Sequence, residues 1–181
     1  MKYEKKVMLK SGGECILKNA REEDASDILK HLVITSGETN FLSRYPEEVR
    51  LTQEQERKFL KQVEESDNAV MIAAFVNGEL TGNAGISPVA PYERCRHRAE
   101  LGIAVKKQYW ELGIGGLLLA ASLETAKKAG YEQVELEVVE TNIKAVSLYQ
   151  KFGFQVIGKR EHALRYRDGS YLGEYLMQAD I

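Results

Sequence analysis

The segment Leu101-Gly102-Ile103-Ala104-Val105, then Lys106–Leu112, then Gly113-Ile114-Gly115-Gly116-Leu117-Leu118-Leu119, constrains the fold more than any other part of the chain. It is a strand, a short connection, a cluster of glycines and an amphipathic helix. Glycines at a helix start let backbone N–H groups converge on an anion with no side chain in the way. The helix dipole adds about half a positive charge at the same place. That combination can hold a pyrophosphate, and it can equally serve close helix–strand packing. No Gly-Lys-Ser/Thr follows, which argues against a phosphate-binding loop of the NTPase type. The chain before it consists of hairpins rather than a βαβ unit, which argues against a dinucleotide fold.

The hairpins are legible one by one. Ser11-Gly12-Gly13 separates two strand-like runs, Val7–Lys10 and Glu14–Lys18. A helix is expected from Asp24 to Thr35, with Ile28, Leu29 and Leu32 on its apolar stripe, and a polar loop with Gly37, Asn40 and Ser43 follows. Thr52-x-x-Gln55 is a capping box that announces a second helix. Ala69–Val76 and Glu79–Pro88 are strands joined by Asn77-Gly78, a tight hairpin signal. Ala99–Val105 alternates as a further strand, and Ile114–Ala129 is a helix closed by Gly130. Glu132–Val139 alternates strictly, with Val134, Leu136 and Val138 on one face. Ile143–Phe152 is a short helix, and Phe154–Tyr166 and Tyr171–Gln178 flank the turn Arg167-Asp168-Gly169-Ser170. This order describes a mixed α/β domain with helices on a mostly antiparallel sheet. With no repeat, no low-complexity tract and 3 prolines, one domain over residues 1–181 is expected.

After the strand Glu132–Val139 the sequence runs Glu140-Thr141-Asn142-Ile143-Lys144-Ala145-Val146-Ser147-Leu148-Tyr149-Gln150-Lys151-Phe152-Gly153-Phe154. As spacing this is Asn-x-x-Ala-x-x-Leu-Tyr-x-x-x-Gly-Phe. Asn142 can cap the helix, and Ala145 and Tyr149 lie one turn apart on one face, so a small residue leaves room beside a phenol. Together with the glycine segment some 30 residues earlier, the pattern resembles the GNAT superfamily of N-acetyltransferases. The sharp match covers about Ala99–Phe154, and the looser element order agrees from Ile16 to the C-terminus. Trp110 departs from the pattern, standing where the family usually has Gln or Arg; that position mainly offers its backbone.

The resemblance implies a GNAT fold, a mixed, mostly antiparallel twisted sheet of about seven strands with helices on both faces. It implies acetyl-CoA as acyl donor, lying between Ala99–Val105 and Glu132–Val139. Backbone groups of Ile103 and Val105 are expected to pair with the pantetheine, and an amide there to polarise the thioester carbonyl. Gly113, Ile114, Gly115, Gly116 and Leu117 are expected to give N–H groups to the pyrophosphate, and Asn142 and Ala145 to flank the cofactor. Tyr149 is the expected acid for the departing thiolate, because a phenol with an ordinary pKa of about 10 is protonated at neutral pH. Glu100 is the expected base for the acceptor ammonium, taking its proton through a water; an ion pair with Arg96, Arg98 or a neighbouring strand is the alternative. Glu38, Phe41 and Tyr45, placed in the loop after the first helix, are expected to line the acceptor pocket.

Composition narrows the partners. The 25 Lys+Arg against 27 Asp+Glu leave a net charge of -2, without the basic excess of a nucleic-acid binder. His31, His97 and His162 have no ligand spacing, so no metal site is expected. The two cysteines, Cys15 and Cys95, lie far apart, and the longest apolar run, Ala69–Val76, is too short to span a bilayer. A cytoplasmic enzyme without membrane or nucleic-acid partners is expected, acetylating a small primary amine by direct attack in a ternary complex. A protein N-terminus or lysine as acceptor, and a CoA-binding module without catalysis, are the alternatives. The long C-terminal hairpin ends at a sheet edge, where two copies are expected to pair as a homodimer.

Overall fold

The computed structural model describes residues 2–181. β1 (Glu4–Met8) and β2 (Glu14–Asn19) form the first hairpin. Its turn starts before the glycines: Leu9 N–H donates to the Gly13 carbonyl at 2.7 Å, and Gly12 N–H to the Leu9 carbonyl at 2.9 Å. Leu9 and Lys10 therefore belong to the turn, and the strand expected over Val7–Lys10 starts three residues earlier, at Glu4, and ends at Met8. α1 (Ala25–Glu38) runs a turn past its expected end at Thr35. The Thr35 hydroxyl donates back to the His31 carbonyl at 2.8 Å, so it is satisfied within the helix and does not stop it. α2 (Gln53–Glu65) opens on the capping box, with Thr52 Oγ1 accepting from Gln55 N–H and the Gln55 side chain accepting from Thr52 N–H.

The remaining elements are β3 (Val70–Val76), β4 (Glu79–Pro88), β5 (Arg98–Val105), α3 (Ile114–Lys128), β6 (Gln133–Val139), α4 (Ile143–Lys151), β7 (Gln155–Arg165) and β8 (Tyr171–Asp180). Gly130 and Gly153, at φ 83 and 91, supply the left-handed residues that let α3 and α4 end where they do. The sheet has 8 strands, against about seven expected, in the order β1-β2-β3-β4-β5-β6-β8-β7. Every neighbouring pair is antiparallel except β5 and β6.

Helices cover both faces. Ile114, Leu118 and Leu119 of α3 are fully buried against Ala84, Ile86, Leu101, Val134 and Leu136, in a core that also takes in Tyr149 and Phe154. Burial of one such leucine contributes about 2 kcal/mol. A smaller cluster of Ala20, Ala25, Ile28, Leu60, Ala73 and Leu80 fixes α1 and α2 to the opposite face. The edge strand β7 carries Lys159 and Arg160 and slips register at Val156/Gly158 and Arg160/Leu164; charge and bulges are common protections of an exposed edge. Among the described residues no helix is long and apolar enough to cross a membrane.

One buried polar group stands out between α1 and the sheet. His31 is 0% exposed, and neither ring nitrogen has a hydrogen bond of good geometry. Burial and the nearby Lys106 charge push its pKa down to about 4, only partly offset by the Asn83 side chain and the Ala104 backbone. The folded value lies below the unfolded one, so the neutral ring's contribution is complete above about pH 6.5 and is lost as pH falls to 4. The urea midpoint is expected to drop over that window by the equivalent of about 3 kcal/mol, and His31→Leu is expected to flatten the drop. A midpoint as steep in His31→Leu as in the parent chain excludes His31 as its cause.

Candidate active site

The parallel ladder between β5 and β6 is short. Only Arg98, Ala99 and Glu100 pair, with Gln133, Val134 and Glu135. Beyond Glu100 the strand β5 continues to Val105 with β4 on its outer side alone, and beyond Glu135 β6 continues to Val139 with β8 alone. Two strands each held from outside and unpaired inside leave a slot whose walls are backbone N–H and C=O groups without sheet partners. An unpaired backbone group in a partly buried place is costly, and a chain carrying amides, laid in the slot as an added strand, satisfies such groups. Ile103 and Val105 stand on this open stretch, their side chains packed toward α3.

The chain leaving β5 is braced on its way to the glycines. Glu79 Oε1 accepts from Lys106 Nζ at 2.8 Å, and its Oε2 from the Tyr109 hydroxyl at 2.8 Å. Those hydrogen bonds, Lys106 first, hold its carboxyl below the usual range. Trp110, expected to offer only backbone, also donates its indole N–H to the Val105 carbonyl at 2.7 Å. Gly113 then takes φ 87 as N-cap, with no side chain capping α3. The first intrahelical bond in this turn is Leu117 N–H to the Gly113 carbonyl. The N–H groups of Ile114, Gly115 and Gly116 are left free for an anion, as a helix start requires. A Cβ on Gly115 or Gly116 meets only Leu148 of α4, at 3.5 and 3.7 Å, so the α3–α4 crevice is narrow but not full. Lys144 and Glu111 form an exposed ion pair between the start of α4 and this loop.

α4 supplies the phenol. Asn142 caps it by accepting from Ala145 N–H at 3.4 Å, which places the half-buried Ala145 one turn before Tyr149. Tyr149 is buried beside Phe154, ring centroids 5.8 Å apart. Burial alone pushes its pKa up to about 12. The hydroxyl therefore keeps its proton across the whole working pH range.

The opposite face of the slot presents carboxylates. Glu100 is exposed, and its one hydrogen bond among the described residues is from Ser87 Oγ at 3.1 Å. Of its expected alternatives, the ion pair with Arg98 does not form, because Arg98 is bound to Glu135, and among the described residues neither Arg96 nor a neighbouring strand pairs a cation with it. Beside Glu100, Gly85 and Gly102 are register partners, and a Cβ on either meets nothing within 4 Å. They leave a hollow on the sheet between Glu100 and the Asn83–Ala104 pair. Further along β6 on the same face, Glu137 binds Arg160 at 2.8 Å, and Arg160 also meets Glu174. Gly85, Gly102 and Glu137 were not singled out from sequence. Glycines inside strands, and the glutamates alternating with Val134, Leu136 and Val138, were the available signals.

Of the three acceptor-pocket candidates, one lines a cavity. A cavity of about 440 Å³ lies between the α1–α2 loop and the β7–β8 hairpin, with Tyr45, Ser36, Arg44 and Tyr166 in its walls. Phe41 is half-buried nearby, outside those walls. Glu38 is the last residue of α1 rather than a loop residue, and its carboxylate accepts from Lys107 N–H at 2.7 Å. It thus ties the acceptor side to the end of β5. The loop and hairpin are also fastened together: Tyr166 Oη donates to the Asn40 carbonyl at 2.6 Å, Arg167 N–H to Tyr45 Oη at 3.1 Å, and the Arg167 guanidinium lies 3.9 Å over the Tyr45 ring while pairing with Glu47.

An acyl-CoA-dependent N-acyltransferase needs an opening of this kind in its sheet with an anion site beside it, and likeness to known proteins puts the chain in that class. The family described as Acetyltransferase (GNAT) family matches residues 38–154. An N-alpha-acetyltransferase from Sulfurisphaera tokodaii is 31% identical over 95% of this chain and 96% of its own. An L-amino acid N-acetyltransferase from Escherichia coli is 29% identical over 59% of this chain and 65% of its own. The crystal structure of a GNAT-family acetyltransferase from Streptococcus pneumoniae superposes with TM-score 0.88 at 34% identity, over 92% of this chain and 99% of that one. The chain belongs to the GNAT family of acetyltransferases, whose acyl donor is acetyl-CoA.

The state of Tyr149 is open to direct measurement. In an ultraviolet pH titration, Tyr149→Phe is expected to delete an ionisation near pH 12. The raised value also means that the buried phenol's contribution to stability is complete below pH 10 and is lost as pH rises to about 12. Loss of a step near pH 10 in place of this one contradicts a dry phenol.

Proposed function

We propose that this chain, acting as one domain over residues 1–181, acetylates the primary amine of a small molecule by direct attack in a ternary complex. Acetyl-CoA supplies an activated acyl carbonyl on a thiolate leaving group. Backbone groups of Ile103 and Val105 hold its arm in the slot, and an N–H there faces the carbonyl oxygen as charge develops on it. The free N–H groups of Ile114, Gly115 and Gly116 take the pyrophosphate after the turn at Gly113, with Asn142 and Ala145 beside the arm; Leu117, expected to join them, spends its N–H on the Gly113 carbonyl. The acceptor sits over Gly85 and Gly102. Glu100 removes its ammonium proton through a water, and Tyr149 Oη gives a proton to the leaving sulfur.

Among the carboxylates on the acceptor face, Glu135 is bound to Arg98, and Glu137 and Glu174 share Arg160, whereas among the described residues Glu100 has only the Ser87 hydroxyl. That difference favours Glu100 as base. The observation that carries the small-molecule reading is the fastening of the α1–α2 loop to the β7–β8 hairpin, which closes one side of the cavity. Its volume also lies in the range of small-ligand sites. A protein N-terminus is the second reading, favoured by the full-length likeness to the N-alpha-acetyltransferase. Tyr45 lines the acceptor cavity, with Phe41 outside its walls and Glu38 held by the Lys107 N–H. The cytoplasm as setting, in keeping with the unpaired Cys15 and Cys95, and a homodimer through the C-terminal hairpin complete the proposal.

Steady-state kinetics with free amino acids, simple amines and short peptides test it. Tyr149→Phe is expected to lower kcat on the order of 10²- to 10⁴-fold with little change in acetyl-CoA affinity. Glu100→Gln is expected to lose most near neutral pH and to recover partly at high pH, where free amine is abundant; Glu137→Gln is expected to lose less. Peptides turned over faster than every small amine overturn the small-molecule reading, and a larger loss in Glu137→Gln reassigns the base.

A further inference from the structure

The closed end of the slot contains an electrostatic conflict. Glu100 of β5 and Glu135 of β6 are register partners on one face, and neighbouring strands lie about 4.8 Å apart. Like charges so placed weaken strand pairing. The ladder nevertheless ends on this pair. Arg98 resolves the conflict: its Nε donates to Glu135 Oε1 at 2.5 Å, and a terminal NH2 donates to Oε2 at 2.9 Å. This two-pronged contact occupies both oxygens of Glu135 and ties β5 to β6 at the last rungs before they part.

We propose that Arg98 is a positioning residue for acetyl transfer: by clasping Glu135 it closes the narrow end of the slot and screens Glu100, leaving that carboxylate available for a proton. The inference rests on Glu100 as the base. The groups facing Glu100 are few. Ser87 stands on β4, Glu135 on β6 and Arg98 on its own strand. Glu137, farther along β6, is engaged by Arg160, and Gln178 of β8, opposite Glu135, is uncharged. Among the described residues no helix side chain bonds to Glu100.

The test pairs a pH–rate profile of kcat/KM with a carboxyl-carbon NMR titration of Glu100. In Arg98→Gln, the acid limb and the Glu100 titration are expected to move together to higher pH by about one unit, the scale of one unscreened charge at this spacing. The double variant Arg98→Gln/Glu135→Gln, which removes both charges, is expected to bring both back. Neither moving in a folded Arg98→Gln overturns the proposal. A Glu100 titration that moves while the limb stays put upholds the screening and rejects Glu100 as base. If Arg98→Gln does not fold, Glu135→Gln decides: with Arg98 freed, both readouts move to lower pH, and no movement overturns the proposal.

Discussion

The parallel ladder between β5 and β6 stops after three register pairs, and the rest of the site depends on that stop. Each strand is held along its length on the outer side, β5 by β4 and β6 by β8. Neither can swing inward to complete the ladder without breaking antiparallel pairs it already has. The gap is therefore a fixed feature of the sheet. Backbone groups left open on its walls can pair with amides, and the free N–H groups after Gly113 can hold an anion; the proposed placement of acetyl-CoA uses both together.

The sheet also separates two kinds of chemistry. On the face covered by α3, the core is apolar, and Tyr149 is dry enough to hold its proton to about pH 12. On the face covered by α1 and α2 lie Glu100, Glu135, Glu137 and Glu174, of which all but Glu100 are bound to arginine. The proposed roles of Tyr149 as acid and Glu100 as base draw on this separation, since acetyl transfer must both deprotonate the attacking amine and protonate the leaving sulfur.

Much of this was legible in the sequence because it is carried by local signals. Asn77-Gly78, Thr52-x-x-Gln55, Gly130 and Gly153 each fix a turn or a helix end through the backbone of one or two residues. The two sharp motifs carried the glycine loop and α4 in the same way. What escaped notice depends on tertiary partners. That α1 continues through Glu38, and that Glu38 turns to the Lys107 amide, follows from packing across the sheet. The bond from Arg98 to Glu135 needs the β5–β6 register, 37 residues apart in sequence. The hollow over Gly85 and Gly102 needs the β4–β5 register, since either glycine alone is only a weak point in a strand.

Amide hydrogen exchange with and without acetyl-CoA addresses the slot directly. Occupation of the gap predicts added protection at the Leu101, Ile103 and Val105 amides of β5 and at the start of α3 from Ile114 to Gly116, with Arg98–Glu100 unchanged because they are already paired. Protection confined to other surfaces, with 101–105 exchanging as fast as before, contradicts the slot as the place where acetyl-CoA binds.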